Sequence, residues 1–317
     1  MKYITLLVIS FAFLLGCKVN SVNKQVEQSG TIAPCGIELY YSLGGLGSAV
    51  KQEFEEQGFK RITLINQRRI VNPNDEWLLD RSILTSNVEK FVPDPNSEEY
   101  IVLNWEGKPY LAIQAGPSHP DYKRATLQFI EAYDLVKRLR PRTKVGYYGF
   151  PIRDYWNRNE KWRAKNTALI PFLKNFDVLY PSIYDFYDSS TGRGKGDDAY
   201  VRDNIEEAIR MGERMNKPVL PFVWHRYHTS NKEKRLELIP EDEFIAHVSA
   251  ATSTKVEGRG IAGLVWWSSE YSRFVQANRK RFEDKKIMRA AWEKEATVIL
   301  PRYFAALRTA TERSCQD

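Results

Sequence analysis

The sequence lacks the features of a modular, fibrous or disordered protein. It has no internal repeat, no low-complexity tract and no segment with the composition of an interdomain linker. Hydrophobic residues make up 43% and charged residues 27% of the 317 residues, a globular balance that excludes disorder as the main state. A chain of this length can bury a large core, as one domain of barrel size or as two smaller domains.

Long apolar runs are also scarce, and the main one lies at the amino terminus. Residues 4–15 form it after a positively charged start, and it is too short to span a bilayer as a mature helix. A run of this kind is typical of a secretory signal. It ends in Leu-Leu-Gly-Cys at Cys17, which is similar to the lipobox of bacterial lipoproteins; the alternative is a plain signal peptide that contains a cysteine.

The lipobox interpretation divides the chain into three parts. Residues 1–16 would be the signal peptide, residues 17–33 a polar tether, and residues 34–317 a single barrel domain. Cys17 would then carry the lipid, palmitate included. We expect the protein in the cell envelope, anchored to the outer membrane and facing the periplasm or the cell surface.

Only two further cysteines are present, Cys35 before the first predicted strand and Cys315 at the end of the last predicted helix. Export would permit a disulfide. The first and last elements of a closed barrel are neighbours, so the two could pair. The alternative is two independent free thiols.

The net charge is +7 at pH 7 and the isoelectric point is about 9.1. This favours an acidic partner, and for an exported protein a polyanionic glycan is a better candidate than nucleic acid. Basic clusters such as residues 137–142 and 279–281 are first of all typical of solvated helix faces.

Apolar, β-rich segments alternate with amphipathic stretches along the chain. Strands are predicted at residues 37–43, 61–67, 100–106, 144–150, 178–184, 218–224 and 260–267, and helices near residues 48–57, 121–139, 160–175, 198–216, 241–254 and 277–312. Residues 72–96 are weakly patterned and are expected to form an excursion on one face. The alternation predicts a parallel α/β fold, either a barrel or a doubly wound sheet.

Polar and aromatic residues stand at the carboxyl end of nearly every predicted strand. A doubly wound sheet would concentrate such residues at one switch point, whereas a barrel places them around one rim. The sequence therefore predicts a distorted, TIM-like (β/α) barrel with about seven parallel strands.

Residues 101–107 (Ile-Val-Leu-Asn-Trp-Glu-Gly) read as a buried strand that ends in an amide, an indole and a carboxylate. A carboxyl group held beside Trp105 would be partly desolvated, which raises its pKa and suits Glu106 to general-acid catalysis. The alternative is a structural Glu satisfied by an arginine.

Two other motifs are weaker. The glycines of residues 44–47 follow the first strand but do not fit G-x-G-x-x-G, and Asn66 stands where a dinucleotide site would have an acid, so a flexible loop is preferred. His225 and His228 lack the further ligands that a metal site needs. A role in substrate binding or proton transfer and a purely structural role both stay open for them. We expect no metal and no organic cofactor.

Three later segments complete a pattern with residues 104–106. They are residues 146–151 (Gly-Tyr-Tyr-Gly-Phe-Pro), 180–184 (Tyr-Pro-Ser-Ile-Tyr) and 263–269 (Gly-Leu-Val-Trp-Trp-Ser-Ser). In this order they resemble the hyaluronidase family of glycoside hydrolases, over roughly residues 100–270. The resemblance implies a distorted seven-stranded barrel, and a family disulfide between the chain's ends lends weight to pairing of Cys35 with Cys315.

The resemblance also implies roles for particular residues. Glu106 matches the family's proton donor, Tyr184 a tyrosine that contacts the reacting sugar, and Trp266 or Trp267 a tryptophan that walls the pocket. Arg226 matches a basic group less closely. Tyr148 lies within the second matching segment and is expected to bind substrate.

One departure from the family pattern concerns the chemistry. Asn104 replaces the family's aspartate, which orients and polarises the substrate's own N-acetyl group. An asparagine can hydrogen-bond that group but cannot stabilise a developing positive charge as a carboxylate does. Hydrolysis of an N-acetylhexosamine by this route is therefore placed in doubt.

Three functions stay open. The first is hydrolysis of an acidic, uronate-containing poly- or oligosaccharide, with Glu106 as general acid and Asp185 as a second carboxylate. The second is β-elimination by a lyase or dehydratase, with Tyr184 or His225 as base and Arg226 neutralising the uronate. The third is a non-catalytic glycan-binding lipoprotein.

Overall fold

The computed structural model describes residues 36–189 and 197–314. Its strands are β1 (Glu38–Leu43), β2 (Lys60–Arg61), β3 (Thr63–Asn66), β4 (Val71–Asn72), β5 (Asp75–Leu79), β6 (Tyr100–Asn104), β7 (Lys144–Tyr147), β8 (Phe222–Val223) and β9 (Gly263–Ser268). Its helices are α1 (Ser48–Glu56), α2 (Arg81–Phe91), α3 (Lys108–Ala115), α4 (Tyr122–Leu139), α5 (Glu160–Ala168), α6 (Ile170–Leu173), α7 (Asp197–Met215), α8 (Glu241–Ser253), α9 (Glu270–Asn278) and α10 (Lys285–Arg313).

The strands form a ring of seven parallel segments. One sheet has the order β2-β1-β9-β8 and another the order β3-β6-β7. Only Ile62 separates β2 from β3, so these two are parts of one strand that pairs first with β1 and then with β6. Residues 179–182 close the ring through parallel bridges to Tyr148, directly after β7, and to Val219 and Phe222 on the β8 side.

This arrangement confirms the predicted fold class. The predicted strand at residues 178–184 is present as isolated bridges rather than a continuous ladder. The stretch from 72 to 96 is more regular than expected, because it contains the antiparallel hairpin β4–β5 and the helix α2. Asp80 accepts hydrogen bonds from the first backbone amides of α2, which explains where that helix begins.

Two hydrophobic clusters lie on the two faces of the ring of strands, one inside it and one outside it. The smaller cluster, with Tyr40, Val102, Tyr180, Phe222 and Val265, fills the barrel interior. The larger cluster lies between the strands and the surrounding helices. Since neighbouring residues of a strand point to opposite faces, each strand contributes alternate side chains to the two clusters.

Within the described ranges, no helix combines the length and the apolar composition that crossing a bilayer would require. Among the same residues, no three His, Cys, Asp or Glu side chains are grouped so as to hold a metal ion.

Candidate active site at the carboxyl ends of the strands

The end of β6 separates Asn104 and Glu106 from Trp105. Trp105 is buried on the helix side, where its ring stacks on Phe129 at 4.8 Å and its Nε1 donates to the carbonyl of Glu76 at 3.0 Å. Glu106 is exposed. The expectation that Trp105 desolvates the Glu106 carboxylate is therefore wrong, because consecutive residues of an extended chain point to opposite faces.

Asn104 lies on the interior side of β6, in register with Asn66 of β3. Its Oδ1 atom is buried and has no hydrogen-bond partner among the described residues. A buried acceptor without a partner costs free energy, so the site is suited to a donor supplied by a ligand.

Four aromatic side chains form one wall of the cleft above the barrel interior. The rings of Tyr184 and Trp267 are stacked at 5.8 Å, and Trp224 meets Trp267 edge-on at 5.0 Å. Tyr148 lies 6.1 Å from Tyr184, measured between ring centroids. Flat apolar rings of this kind suit the faces of sugar rings.

A cation and a neutral imidazole complete the cleft. Arg153 donates to the Ser182 hydroxyl, and its guanidinium lies 5.6 Å from the centre of the Tyr184 ring. Its Nη2 is 3.3 Å from Nε2 of His228. Burial, and then the nearby Arg153 charge, lower the pKa of His228 to about 4, so its imidazole is neutral at neutral pH. No described carboxylate forms an ion pair with Arg153.

The charge of Glu106 reaches this group of side chains. Burial, first of all, raises the pKa of Tyr184 well above its usual value; Tyr148 and the negative charge of Glu106 raise it further, and Arg153 opposes them. The interior-facing group thus contains an amide, a carboxylate, hydroxyl groups and a guanidinium that has no described carboxylate partner.

Three of the residues singled out in the sequence lie behind the strands, on the helix side. His225 is fully buried, and its Nδ1 accepts a hydrogen bond of 3.0 Å from Nε1 of the buried Trp266. Burial lowers the pKa of His225 to about 3. Asp185 is also buried, with its Oδ2 3.7 Å from Nδ1 of His247. None of the three faces the aromatic wall.

Arg226 is committed to another partner. Its Nε and Nη2 form a two-point ion pair with Glu270 at 2.5 and 2.6 Å, and its Nη1 donates to the carbonyl of Leu236. A guanidinium already satisfied in this way has little capacity left for a substrate carboxylate.

Sequence reasoning placed Tyr148, Tyr184 and Trp267 in the cleft but missed Arg153, Ser182 and Trp224. Alternation was the available signal: Trp224 and Ser182 share the strand parity of interior residues, as Tyr184 does. Arg153 lies beyond its strand and carried no such signal. Cys17, Cys35 and Cys315 lie outside the described residues, so the lipidation and the disulfide stay predictions.

Comparison with known proteins identifies the family. The model of the hyaluronidase family matches residues 110–297, more than half of the chain. The match begins after Asn104 and Glu106, so it does not itself include those two residues.

Two relatives show the extent of the similarity. A hyaluronidase of Tabanus yao, Tab y 2.0101, is 23% identical over 279 residues, covering 83% of this chain and 72% of its own. Human hyaluronidase-1 is 33% identical over 147 residues, covering 43% of this chain and 31% of its own.

Solved structures agree on the fold. Bee venom hyaluronidase superposes with a TM-score of 0.59 at 16% identity, covering 86% of this chain and 99% of that structure. Its complex with a hyaluronic acid tetramer gives a TM-score of 0.57. The family expected from the four motifs is confirmed, and the chain belongs to the hyaluronidase family of glycoside hydrolases.

Proposed function

We propose that this protein cleaves acidic, uronate-containing poly- or oligosaccharides by hydrolysis, with Glu106 as the general acid. The observation that carries the proposal is the interior-facing pair at the end of β6. An exposed carboxylate without a described ion-pair partner stands near an amide whose buried Oδ1 atom has no hydrogen-bond partner. Family membership and the complex of bee venom hyaluronidase with a hyaluronic acid tetramer support the substrate class.

In this reaction Glu106 protonates the glycosidic oxygen as the bond to the anomeric carbon breaks. The resemblance implies that the substrate's acetamido oxygen attacks that carbon, with Asn104 accepting a hydrogen bond from the acetamido N–H. Water then opens the cyclic intermediate and returns its proton to the Glu106 carboxylate. The net change is addition of one water across one glycosidic bond.

The cleft offers separate contacts for the sugar rings and for the acid group. The stacked rings of Tyr184 and Trp267 can carry a sugar face. Arg153 can bind a uronate carboxylate, because its present partners are a hydroxyl and an imidazole rather than a described carboxylate. This assigns Arg153 the role that the sequence suggested for Arg226.

One observation favours β-elimination as a second candidate. Asp185 lies behind the sheet, so the second carboxylate expected from the sequence does not face Glu106. Arg153 could instead neutralise a uronate carboxylate, while Tyr184 or the neutral His228 next to it accepts the C5 proton. The C4–oxygen bond then breaks, Glu106 protonates the leaving oxygen, and a C4–C5 double bond forms without water being consumed.

Mass spectrometry of the products from a panel of anionic oligosaccharides distinguishes these functions. Hydrolysis adds one water to the summed product mass and creates a new reducing end. Elimination leaves the sum unchanged, or removes one water from a dehydrated product, and creates an ultraviolet-absorbing unsaturated uronate. Binding without any product would contradict both proposals and support a non-catalytic glycan-binding protein.

The variant Asn104→Asp sharpens the choice between hydrolysis and elimination. If the acetamido group is the nucleophile, restoring a carboxylate should raise the hydrolytic kcat by at least about tenfold, because it stabilises the developing positive charge. If the reaction is elimination, the same charge next to the uronate should lower turnover.

We also propose that a lipid on Cys17 anchors the protein to the cell envelope. The support is the apolar run of residues 4–15 ending at that cysteine. Labelling with radioactive palmitate in a bacterial host tests it: wild type should be labelled and should fractionate with membranes. The variant Cys17→Ser should not be labelled and should not fractionate with membranes. Labelling of that variant would contradict the proposal.

A further inference from the structure

The seam between the first and second strands of the barrel opens towards its carboxyl end. β1 pairs with β2 only at Tyr40 and Tyr41, and the last contact is the hydrogen bond of 3.1 Å from the Ile62 amide to the Tyr41 carbonyl. Beyond that point β3 pairs with β6, and no described ladder joins β3 to β1. The two strands therefore splay apart at the rim where the cleft lies.

A cavity of about 400 Å³ occupies this opening. It is lined by four cationic side chains, Lys51, Arg61, Arg69 and Arg289, and by no aspartate or glutamate. Of the four, only Arg289 has a described ion-pair partner, Glu293 at 2.8 Å. The cavity thus combines a concave shape with an excess of positive charge, which focuses the field towards an anion.

Two of the guanidinium groups are held against aromatic rings. Arg69 lies 4.5 Å from the ring centroid of Phe91, and Arg289 lies 5.2 Å from that of Tyr271. Stacking of this kind orients the planar fork and reduces the entropy lost when it binds an oxyanion.

The glycine-rich loop of residues 44–47 also lines the cavity, and helix α10 holds this loop in place. Nη2 of Arg289 donates to the Leu46 carbonyl at 3.1 Å, and Nε1 of Trp292 donates to the Gly45 carbonyl at 2.6 Å. Gly45 has φ +74°, and a Cβ there would collide with the ring of Tyr271. The loop rejected as a dinucleotide motif is therefore a fixed part of a cationic cavity.

The cavity lies close to the candidate active site. Leu64 lines it, and Asn66, two residues further along β3, is in register with Asn104. A polyanionic chain bound in the cleft could therefore place another acid group in the opening between the strands.

We propose that this opening is a second binding site, which takes a carboxylate or sulfate group of an acidic saccharide. The choice of a saccharide rests on the proposed function, whereas the recognition of an anionic oxygen group rests on the cavity alone. Arg61, Arg69 and Lys51 bind the group. Arg289, which already pairs with Glu293 and donates to the Leu46 carbonyl, adds its charge and holds the loop in place. None of the four takes part in bond cleavage.

Isothermal titration of the full chain with a uronate-containing octasaccharide and with inorganic sulfate tests this site. The measurements use the Glu106→Gln background, so that binding is recorded without turnover. Adding Arg61→Gln with Arg69→Gln should weaken octasaccharide binding by at least about tenfold. It should also abolish competition by sulfate.

The matched control is Arg68→Gln with Arg138→Gln, which removes the same charge from two exposed side chains outside the cavity. It should weaken binding less than about twofold. Equal losses in both double variants, or no loss in either, would overturn the proposal. If the cavity variant does not fold, Lys51→Gln, at an exposed position of α1, replaces it with the same expected direction.

Two further arms separate this inference from the proposed function. If no glycan is cleaved but sulfate still binds through Arg61 and Arg69, the proposed function fails and the anion site stands. Binding of phosphatidylglycerol vesicles through these arginines without octasaccharide binding would overturn the assignment to a saccharide.

Discussion

The two faces of the barrel wall differ sharply at its carboxyl end, although they are built from neighbouring residues. On the interior face, Asn104, Tyr184 and Trp267 surround a cleft with unsatisfied polar groups. On the helix face, Trp105 and Trp266 are fully packed and hydrogen-bonded to protein atoms.

A position at the rim of the barrel is therefore not sufficient evidence that a residue takes part in function. A residue at the carboxyl end of a barrel strand reaches a ligand only if its parity directs it inward. Trp266 and Trp267 are adjacent and chemically identical, yet the first belongs to the core and the second to the cleft.

The largest expected effect comes from removing the acid on the interior face. Glu106→Gln should lower kcat by about 10²- to 10⁴-fold because protonation of the leaving oxygen is lost. The thermal unfolding temperature should stay unchanged, since the side chain is exposed. Kinetics with an anionic oligosaccharide and circular dichroism measure both, and near-normal turnover would contradict the assignment.

The neighbouring helix-side residue should show the opposite behaviour. Trp105→Ala removes the stacking on Phe129 and leaves a cavity, which should cost about 3–5 kcal/mol of unfolding free energy. Turnover per folded molecule should change far less than in Glu106→Gln. Urea denaturation measures the unfolding free energy. A large loss of stability in Glu106→Gln, with none in Trp105→Ala, would contradict the structural role of Trp105 and the functional role of Glu106.

The adjacent tryptophans provide a matched pair with smaller effects. Trp267→Ala should raise KM by roughly fivefold, about 1 kcal/mol, because a ring of the cleft wall is lost. Trp266→Phe should leave KM unchanged and cost about 1–3 kcal/mol of stability, because His225 loses its hydrogen-bond donor. An increase in KM for Trp266→Phe but not for Trp267→Ala would contradict the assignment of Trp266 to the core and Trp267 to the cleft.

The smallest effect concerns the acidic pair on the helix side. Burial, and then the charge of Asp185, raise the pKa of Asp197 to about 8 in the folded protein, above its value in an unfolded chain. The folded state keeps a proton that the unfolded state loses, so this group's contribution to stability falls as the pH rises from about 4 to about 8.

The difference in unfolding free energy between Asp197→Asn and the wild type should therefore be more favourable to the variant at pH 8 than at pH 5, by on the order of 1 kcal/mol. Asp198→Asn is the control, since its side chain is largely exposed and pairs with Arg202. Thermal unfolding at the two pH values measures the difference. The same pH dependence in both variants would contradict a buried, protonated Asp197.

Much of the fold could be predicted from the sequence because parallel strands buried on both faces leave near-continuous apolar runs. The strand at residues 100–106 is of this kind, and β6 lies within it. The segment at residues 178–184 has the same pattern but forms only bridges, because register and pairing partners depend on distant parts of the chain. Similarly, α2 was missed within a weakly patterned stretch.

The sequence could locate the site at the rim, but it did not show which rim residues face the cleft and which face the helices. Polar residues at strand ends indicated the rim, and parity would have placed Trp267 in the cleft and Trp266 behind it. Arg226 shares the interior parity, yet its ion pair with Glu270 depends on how α9 packs, which no local pattern shows. Arg153 reaches the cleft from a loop, so neither strand parity nor spacing predicted it.

The most direct test of the central claim is a crystal structure of Glu106→Gln with a uronate-containing tetrasaccharide. We expect a sugar stacked on Tyr184 and Trp267, with a glycosidic oxygen within hydrogen-bond distance of residue 106. Asn104 Oδ1 should accept a hydrogen bond from the same ligand. A saccharide bound away from the interior face, with Asn104 and residue 106 both in contact only with solvent, would contradict it.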